Sequence, residues 1–160
     1  SGFDIKYLHE LWRPITAIRE GDNDGVDATV GDAGWTPLFG TPQHPSFVST
    51  HSMQSGAASA VLLGLGIDQG FTNTILTDTR SFTGVGQAAQ DAADSRLWGG
   101  IHFRFDNEIG LATGQEIGRF ALEQAAFNAV PEPASWAMMI AGFGFVGAAA
   151  RVRARKVAFA

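Results

Sequence analysis

The sequence predicts an all-α fold that ends in a membrane-spanning helix, and three features favour it. Apolar residues recur at helical spacing near the N-terminus: Ile5, Leu8, Trp12 and Ile15. Ser49 is a typical helix-capping residue, and a long run of small and apolar residues follows it. Residues 134–150 are almost wholly apolar, which corresponds to roughly 25 Å of helix at about 1.5 Å per residue.

The remaining elements follow from local composition. The predicted helices are, in order, 5–20, 49–66, 85–98 and 106–127. Pro14 should kink or restart the first helix, because proline cannot continue its hydrogen-bond ladder. Residues 21–48 are rich in Asp, Gly and Pro and predict a long loop, which is typical of a lid or wall. Residues 67–82 are ambiguous, with a short extended piece inside a loop.

Length and composition exclude several classes of protein. A chain of 160 residues suits one domain with a core of useful size. The net charge of −5 argues against a nucleic-acid partner, since basic residues cluster only in the last ten positions. The absence of cysteine excludes disulfides, zinc–cysteine sites and thiol catalysis.

The C-terminal segment has its own organisation. A break at Pro131 and Pro133 precedes the apolar run, and a basic cluster ends it: Arg151, Arg153, Arg155 and Lys156. Such a cluster is expected to stay on the cytoplasmic side of a membrane. The alternative is a core helix with a basic terminus. We therefore divide the chain into a helical domain (1–127), a linker (128–133), and a transmembrane helix with its tail (134–160).

This segment closely resembles the PEP-CTERM sorting signal. The residues that carry the resemblance are Pro131, Glu132, Pro133, Trp136 and Ala137. The resemblance implies export in a Gram-negative bacterium to the periplasm or cell surface. It also implies cleavage by an exosortase-type membrane enzyme, with at least a transient membrane tether.

Three separate segments carry cationic and donor groups. Arg96, His102 and Asp106 follow the pattern R-x5-H-x3-D, although a His–Asp pair at this spacing can also be a simple hydrogen bond on one helix face. Lys6 and Arg13 lie about two helical turns apart. Ser49, Thr50 and His51 start a helix, whose free N–H groups attract anions. Clustered buried cations repel one another unless an anion neutralises them, so we expect a compact oxyanion ligand.

The ordered set resembles the phosphatidic acid phosphatase type 2 / vanadium-dependent haloperoxidase superfamily. The three family motifs are matched, in order, by Lys6 to Arg13-Pro14, by Ser49-Thr50-His51, and by Ser95-Arg96 to His102 and Asp106. Thr50 stands where the family has glycine, and Val48 where it often has proline. The resemblance implies a helical bundle, with further helices ahead of residue 6 that this chain lacks.

The resemblance also implies a role for each residue. In a haloperoxidase, His102 is bonded to vanadium, and Asp106 fixes its tautomer. His51 is the acid–base group, and His44 stands where bromoperoxidases often have a halide-site histidine. The oxygens of vanadate are held by Lys6, Arg13, Ser49, the Thr50 N–H and Arg96.

Three functions remain open at this point. We expect a vanadate-dependent haloperoxidase that oxidises halide with hydrogen peroxide to hypohalous acid, because segments such as "HFRFDNE" look like those of bacterial members. The second is an acid phosphatase that hydrolyses phosphomonoesters through a phosphohistidine on His102 and needs no vanadate. The third is an exported surface protein of the same fold without catalysis, which the threonine at position 50 favours.

Overall fold

The computed structural model describes residues 2–75, 78–127 and 132–157. It forms two compact units, Ser1–Gln124 and Ala125–Ala160. The first unit contains all the residues of the predicted oxyanion site, and the second contains the sorting segment.

The N-terminal helical region consists of two short helices. Helix α1 spans Gly2–His9 and helix α2 spans Pro14–Arg19. Glu10 has a φ of 46°, which lies in the left-handed region and ends α1. Pro14 is the first residue of α2, where its missing N–H costs no hydrogen bond. The predicted helix over 5–20 is therefore restarted at Pro14.

A long connection follows α2, as predicted. After a single 3-10 turn at Gly21–Asn23, residues 24–49 contain neither helix nor strand. Backbone hydrogen bonds fasten this loop to the helices around it: Asp32 N–H to Ile18 O, Leu38 N–H to Gly99 O, and Ser46 N–H to Leu11 O. The loop is thus a fixed wall beside the N-terminal helices.

Three longer helices complete the first unit. They are α3, Thr50–Gly64, α4, Val85–Trp98, and α5, Arg104–Phe127, which confirms the predicted helices in these regions. Ser49 is the N-cap of α3, and its side chain accepts a hydrogen bond from the Ser52 N–H. Helices α3 and α5 approach so closely that a Cβ on Gly110, Gly114 or Gly118 would press against the α3 backbone.

The all-α prediction is wrong between α3 and α4. Strands β1, Phe71–Ile75, and β2, Asp78–Phe82, form an antiparallel hairpin in which Phe71 pairs with Phe82 and Asn73 with Arg80. The two strands contain several threonine, isoleucine and phenylalanine residues, which favour extended structure. The short extended piece predicted here is therefore one part of a hairpin.

The interior of the first unit is unusually polar. The buried apolar residues are Val48, Ala60, Ala89, Ala93 and Ile101. The buried polar residues include two cations, one carboxylate and one histidine: Lys6, Arg13, Asp106 and His102. Burial of charge is costly unless it is paired, so this centre indicates a binding site.

The second unit contains helix α6, Glu132–Val157. In the parts of the chain that the structure describes, no helix combines the length and apolar content needed to cross a membrane. The predicted membrane-spanning helix is therefore unsupported. Pro131, at the start of the sorting motif, lies outside the described residues.

Candidate oxyanion site

The predicted site residues come from five elements that meet in the first unit. Lys6 lies on α1, Arg13 caps α2, Ser49 caps α3, Arg96 lies near the end of α4, and His102 lies two residues before α5. Burial is the main cause that lowers the pKa values of Lys6 and Arg13, and a neighbouring cation lowers each of them further: Arg13 acts on Lys6, and Arg96 acts on Arg13. The structure thus brings the predicted cations together.

His102 is held at both ring nitrogens. Its Nδ1 lies 2.9 Å from Asp106 Oδ2, and its Nε2 lies 3.0 Å from Arg13 Nη1. Because a guanidinium only donates, Nε2 must carry the lone pair and Nδ1 the proton. Burial, aided by Arg13 and Lys6, lowers the pKa of His102 against the opposing effect of Asp106. A neutral imidazole with a defined tautomer results.

Asp106 organises this histidine from a fully buried position. Its Oδ2 accepts from His102 Nδ1, from the Phe103 N–H at 3.2 Å, and from the hydroxyl of Ser46. The sequence prediction missed Ser46. Its position in the long loop gave no spacing signal, and only the fold brings it to a residue sixty positions away.

Arg13 is fixed in place by His44. Its Nε donates to the backbone oxygen of His44 at 3.0 Å, its Nη2 lies 3.1 Å from His44 Nδ1, and its Nη1 donates to Ile101 O at 2.7 Å. The pKa of His44 is lowered, mainly by burial. The structure therefore places His44, the predicted halide-site residue, against the guanidinium of Arg13.

Lys6 is fully buried, and its ammonium donates to two carbonyl oxygens. These are Pro45 O at 3.0 Å and Ser46 O at 2.9 Å. Burial and then the charge of Arg13 lower its pKa to about 8, while Asp106 raises it. Lys6 can therefore lose its charge in mildly alkaline solution.

The start of α3 forms another side of the site. Ser49 is fully buried, and Thr50 Oγ1 is buried with no hydrogen-bond partner in the described part of the chain. His51 is more exposed, and partial burial, Arg96 and Lys6, in that order, lower its pKa. The first N–H groups of a helix have no acceptor within it, so this terminus offers donors to an anion.

Arg96 completes the cluster and carries the clearest sign of a missing acceptor. Its Nε is buried, and none of the described residues accepts a hydrogen bond from it. A buried cationic donor without an acceptor is costly. An oxyanion placed among these donors would satisfy the donor and neutralise the charge.

The donor set suits an oxyanion better than a bare metal cation. Within the described residues, no group of three or more His, Asp or Glu side chains could hold a metal ion. The cluster instead combines three cations with one neutral imidazole nitrogen. Vanadate fits such a set, because its oxygens accept hydrogen bonds and its metal can take a nitrogen ligand.

Comparisons with known proteins identify relatives for most of the chain. The family described as the VCPO second helical-bundle domain matches residues 1–129, and the PEP-CTERM protein-sorting motif matches residues 129–156. A vanadium-dependent bromoperoxidase of Ascophyllum nodosum is 35% identical over 146 residues, which cover 78% of this chain and 26% of that protein.

Solved structures agree with this relationship. A bacterial vanadium-dependent iodoperoxidase superposes with a TM-score of 0.65 at 37% identity and covers 75% of this chain. A bacterial vanadium-dependent chloroperoxidase without cofactor shares the fold with a TM-score of 0.63 at 20% identity. The chain spans only 28% of the iodoperoxidase and 32% of the chloroperoxidase.

Proposed function

Since the chain belongs to the VCPO second helical-bundle domain family, within the vanadium haloperoxidase superfamily, we propose that it carries the oxyanion site of a vanadate-dependent haloperoxidase. The proposed reaction oxidises halide with hydrogen peroxide to hypohalous acid. The observation that supports it best is His102, whose Nε2 lone pair is fixed by the hydrogen bond that Nδ1 donates to Asp106. The buried and unpartnered Nε of Arg96 supports it further.

The roles proposed for the residues follow from their chemistry. The Nε2 of His102 would hold vanadium, using the lone pair that now accepts from Arg13. The oxygens of the bound vanadate would be held by Lys6, Arg13, Ser49, the Thr50 N–H and Arg96. When bound, vanadate supplies a Lewis acid that activates peroxide without changing oxidation state.

The remaining residues are proposed to transfer protons, to fix the tautomer of His102 and to form the halide site. His51 has a lowered pKa and is neutral near pH 7, so a ring nitrogen can take a proton and return it. Asp106 keeps the proton of His102 on Nδ1 and leaves Nε2 free. His44 is proposed to form part of the halide site, next to Arg13.

A phosphatase is the second candidate, because the same donors suit a phosphoryl group. The unprotonated Nε2 of His102 is then the nucleophile, and His51 protonates the leaving oxygen. The third candidate is a non-catalytic exported protein of this fold. It is favoured by the side chain of Thr50, which adds bulk where the superfamily pattern has glycine.

One comparison separates the three candidates. Because the chain spans about a quarter of the bromoperoxidase's length, the full-length protein that contains it is used. Bromination and iodination of an activated carbon acid are measured with vanadate and peroxide, and hydrolysis of a chromogenic phosphate ester without vanadate. Halogenation that is lost in His102→Ala supports the haloperoxidase. Ester hydrolysis alone supports the phosphatase, and no turnover in either assay supports the non-catalytic protein.

The C-terminal segment supports a proposed location. We propose export in a Gram-negative bacterium, because the sorting motif matches residues 129–156. An exosortase-type enzyme would recognise Pro131, Glu132, Pro133, Trp136 and Ala137. A transient membrane tether through this segment is part of the same proposal.

A further inference from the structure

We infer that Asn107 and Ser52 are positioning residues that aim the hydroxyl hydrogen of Ser49 at the bound oxyanion. The inference rests on the proposed function, since it assumes that an oxyanion binds beside Ser49. Neither residue belongs to the three superfamily motifs. Both lie behind the site, on α5 and α3, and act only through the serine.

The three side chains form a buried chain of hydrogen bonds. Ser49 and Ser52 are fully buried, and Asn107 is 3% exposed. Ser52 Oγ lies 2.8 Å from Ser49 Oγ and 3.1 Å from Asn107 Oδ1. A hydroxyl group has one hydrogen, so Ser52 can donate to only one of these two neighbours.

The direction of these hydrogen bonds decides whether the Ser49 hydroxyl can donate to the oxyanion. If Ser52 donates to Asn107, Ser49 must donate to Ser52, and its hydrogen points away from the oxyanion. If Asn107 donates to Ser52 through Nδ2, Ser52 donates to Ser49, and the hydrogen of Ser49 is free for the oxyanion. Only the second direction makes Ser49 a donor, as its proposed role requires.

An unpaired atom favours the second direction. Asn107 Nδ2 is buried and finds no acceptor among the residues described. A half-turn of the amide places Nδ2 on Ser52 Oγ and removes this unpaired donor, with no change in the shape of the side chain. A buried carbonyl oxygen without a partner is tolerated better than a buried N–H, so the exchange is favourable.

The test reverses the direction of these hydrogen bonds with one substitution. In Asn107→Asp the side chain accepts only, so Ser52 must donate to it and Ser49 must donate to Ser52. Binding of orthovanadate and of inorganic phosphate is measured by calorimetry on the full-length protein. We expect affinity to fall by about tenfold or more in Asn107→Asp, because the oxyanion loses a donor and faces a lone pair. Ser52→Ala removes the group that orients the Ser49 hydroxyl but leaves its hydrogen free to turn toward the anion, so affinity should fall by a smaller factor, about threefold.

A double-mutant cycle separates this effect from the added negative charge. Repulsion by the new carboxylate persists when Ser49 is replaced by alanine, whereas an effect on the hydroxyl hydrogen disappears. We therefore expect Asn107→Asp to change affinity little in the Ser49→Ala background. An undiminished loss in that background, or wild-type affinity in Asn107→Asp, would overturn the inference alone. Failure of the wild-type protein to bind either anion would overturn the proposed function as well. If Asn107→Asp does not fold, Ser52→Ala takes its place in the cycle, and an equal effect on affinity in the wild-type and Ser49→Ala backgrounds overturns the inference.

Discussion

Asp106 sets both the position and the proton of the histidine in the site. Three donors converge on its Oδ2: the Nδ1–H of His102, the backbone N–H of Phe103 and the hydroxyl of Ser46. The carboxylate therefore holds the imidazole by its Nδ1 proton and leaves Nε2 unprotonated. A ligand that binds through Nε2 requires this tautomer.

Replacing Asp106 by asparagine should impair this arrangement. The amide is a weaker acceptor and can turn its NH2 group toward His102, which favours the wrong tautomer. We expect vanadate affinity and halide oxidation to fall by about 10–100-fold. The matched control is Asp94→Asn, since Asp94 accepts a hydrogen bond from Gln90 of the same helix, α4, away from the candidate site. Equal effects of the two substitutions would contradict this role of Asp106.

Lys6 should make anion binding depend on pH. Its pKa is lowered to about 8, so its charge is present below this pH and is lost above it. Sulfate does not titrate in this range, and the three histidines of the candidate site, with lowered pKa values, are already neutral: His44, His51 and His102. Sulfate affinity, measured by calorimetry, should fall by up to about tenfold from pH 7 to pH 9.

Lys6→Met provides the comparison for that titration. The variant lacks the titrating charge, so its weak sulfate affinity should stay nearly constant between pH 7 and pH 9. An equal fall in this variant would show that another group is responsible. A constant affinity in the wild-type protein would contradict the lowered pKa.

At the residue scale, spacing in the sequence indicated side chains that the structure places near one another. The intervals around His102 and Arg13 were informative, because cations and histidines at such intervals serve few structural purposes. Ser46, Ser52 and Asn107 gave no comparable signal. Buried serine and asparagine are common, and their partners are distant in sequence, so only the fold reveals them.

The contact between α3 and α5 fixes the two halves of the site relative to each other. Ser49 lies at the start of one helix and Asp106 at the start of the other, and the Ser49 N–H donates to Asp106 O at 3.1 Å. Glycines on α5 meet the backbone of α3 at Ser49, Met53 and Ala57. Small residues at these positions allow the close approach that holds the two helix starts together.

Gly114→Ala should break this contact. A Cβ at this position would collide with the backbone oxygen of Met53, which cannot move without displacing α3. We expect unfolding free energy to fall by about 1–3 kcal/mol or more, measured by urea denaturation. Gly86→Ala is the matched control, because Gly86 is an exposed helical glycine with open space around it. That change should stabilise by about 0.5–1 kcal/mol, and equal destabilisation of both variants would contradict the argument.

Helices were easier to predict than strands for a physical reason. The caps and the long helical periods of α3, α4 and α5 are local signals, so a single segment contains them. The hairpin at 71–82 is short, and its strands are stabilised by pairing with each other. No single strand of five residues carries enough pattern to be distinguished from a loop.

The candidate oxyanion site and the sorting match lie on two different units of the chain. All candidate binding residues lie between Lys6 and Asp106, within Ser1–Gln124. The sorting match covers 129–156, within the second unit. Recognition by a sorting enzyme should therefore depend on residues that take no part in anion binding.

Pro133→Ala tests this separation in a Gram-negative host that carries an exosortase-type enzyme. Loss of the proline should prevent recognition, so the mature protein should keep its tail and show a larger mass in mass spectrometry. Vanadate affinity should not change. Normal cleavage in this variant, or in a variant with both Pro131 and Pro133 replaced, would contradict the proposed sorting role.

Composition predicted less about the whole molecule than the motifs did. The length of 160 residues indicated one domain with a core of useful size. The centre of the first unit is instead occupied by charged and hydroxyl side chains. Composition cannot reveal this, because it does not show which residues are buried together.

Vanadate binding tests the convergence of the cations most directly. The full-length protein is titrated with orthovanadate and followed by ⁵¹V NMR, with phosphate as competitor. We expect one bound vanadate per chain, displaced by phosphate. Binding should be lost in Arg96→Ala and retained in the control Arg80→Ala, because Arg80 lies on β2 and pairs with Asp91 of α4. Equal binding in Arg96→Ala and the wild-type protein, or no binding in the wild-type protein, would contradict the proposed site.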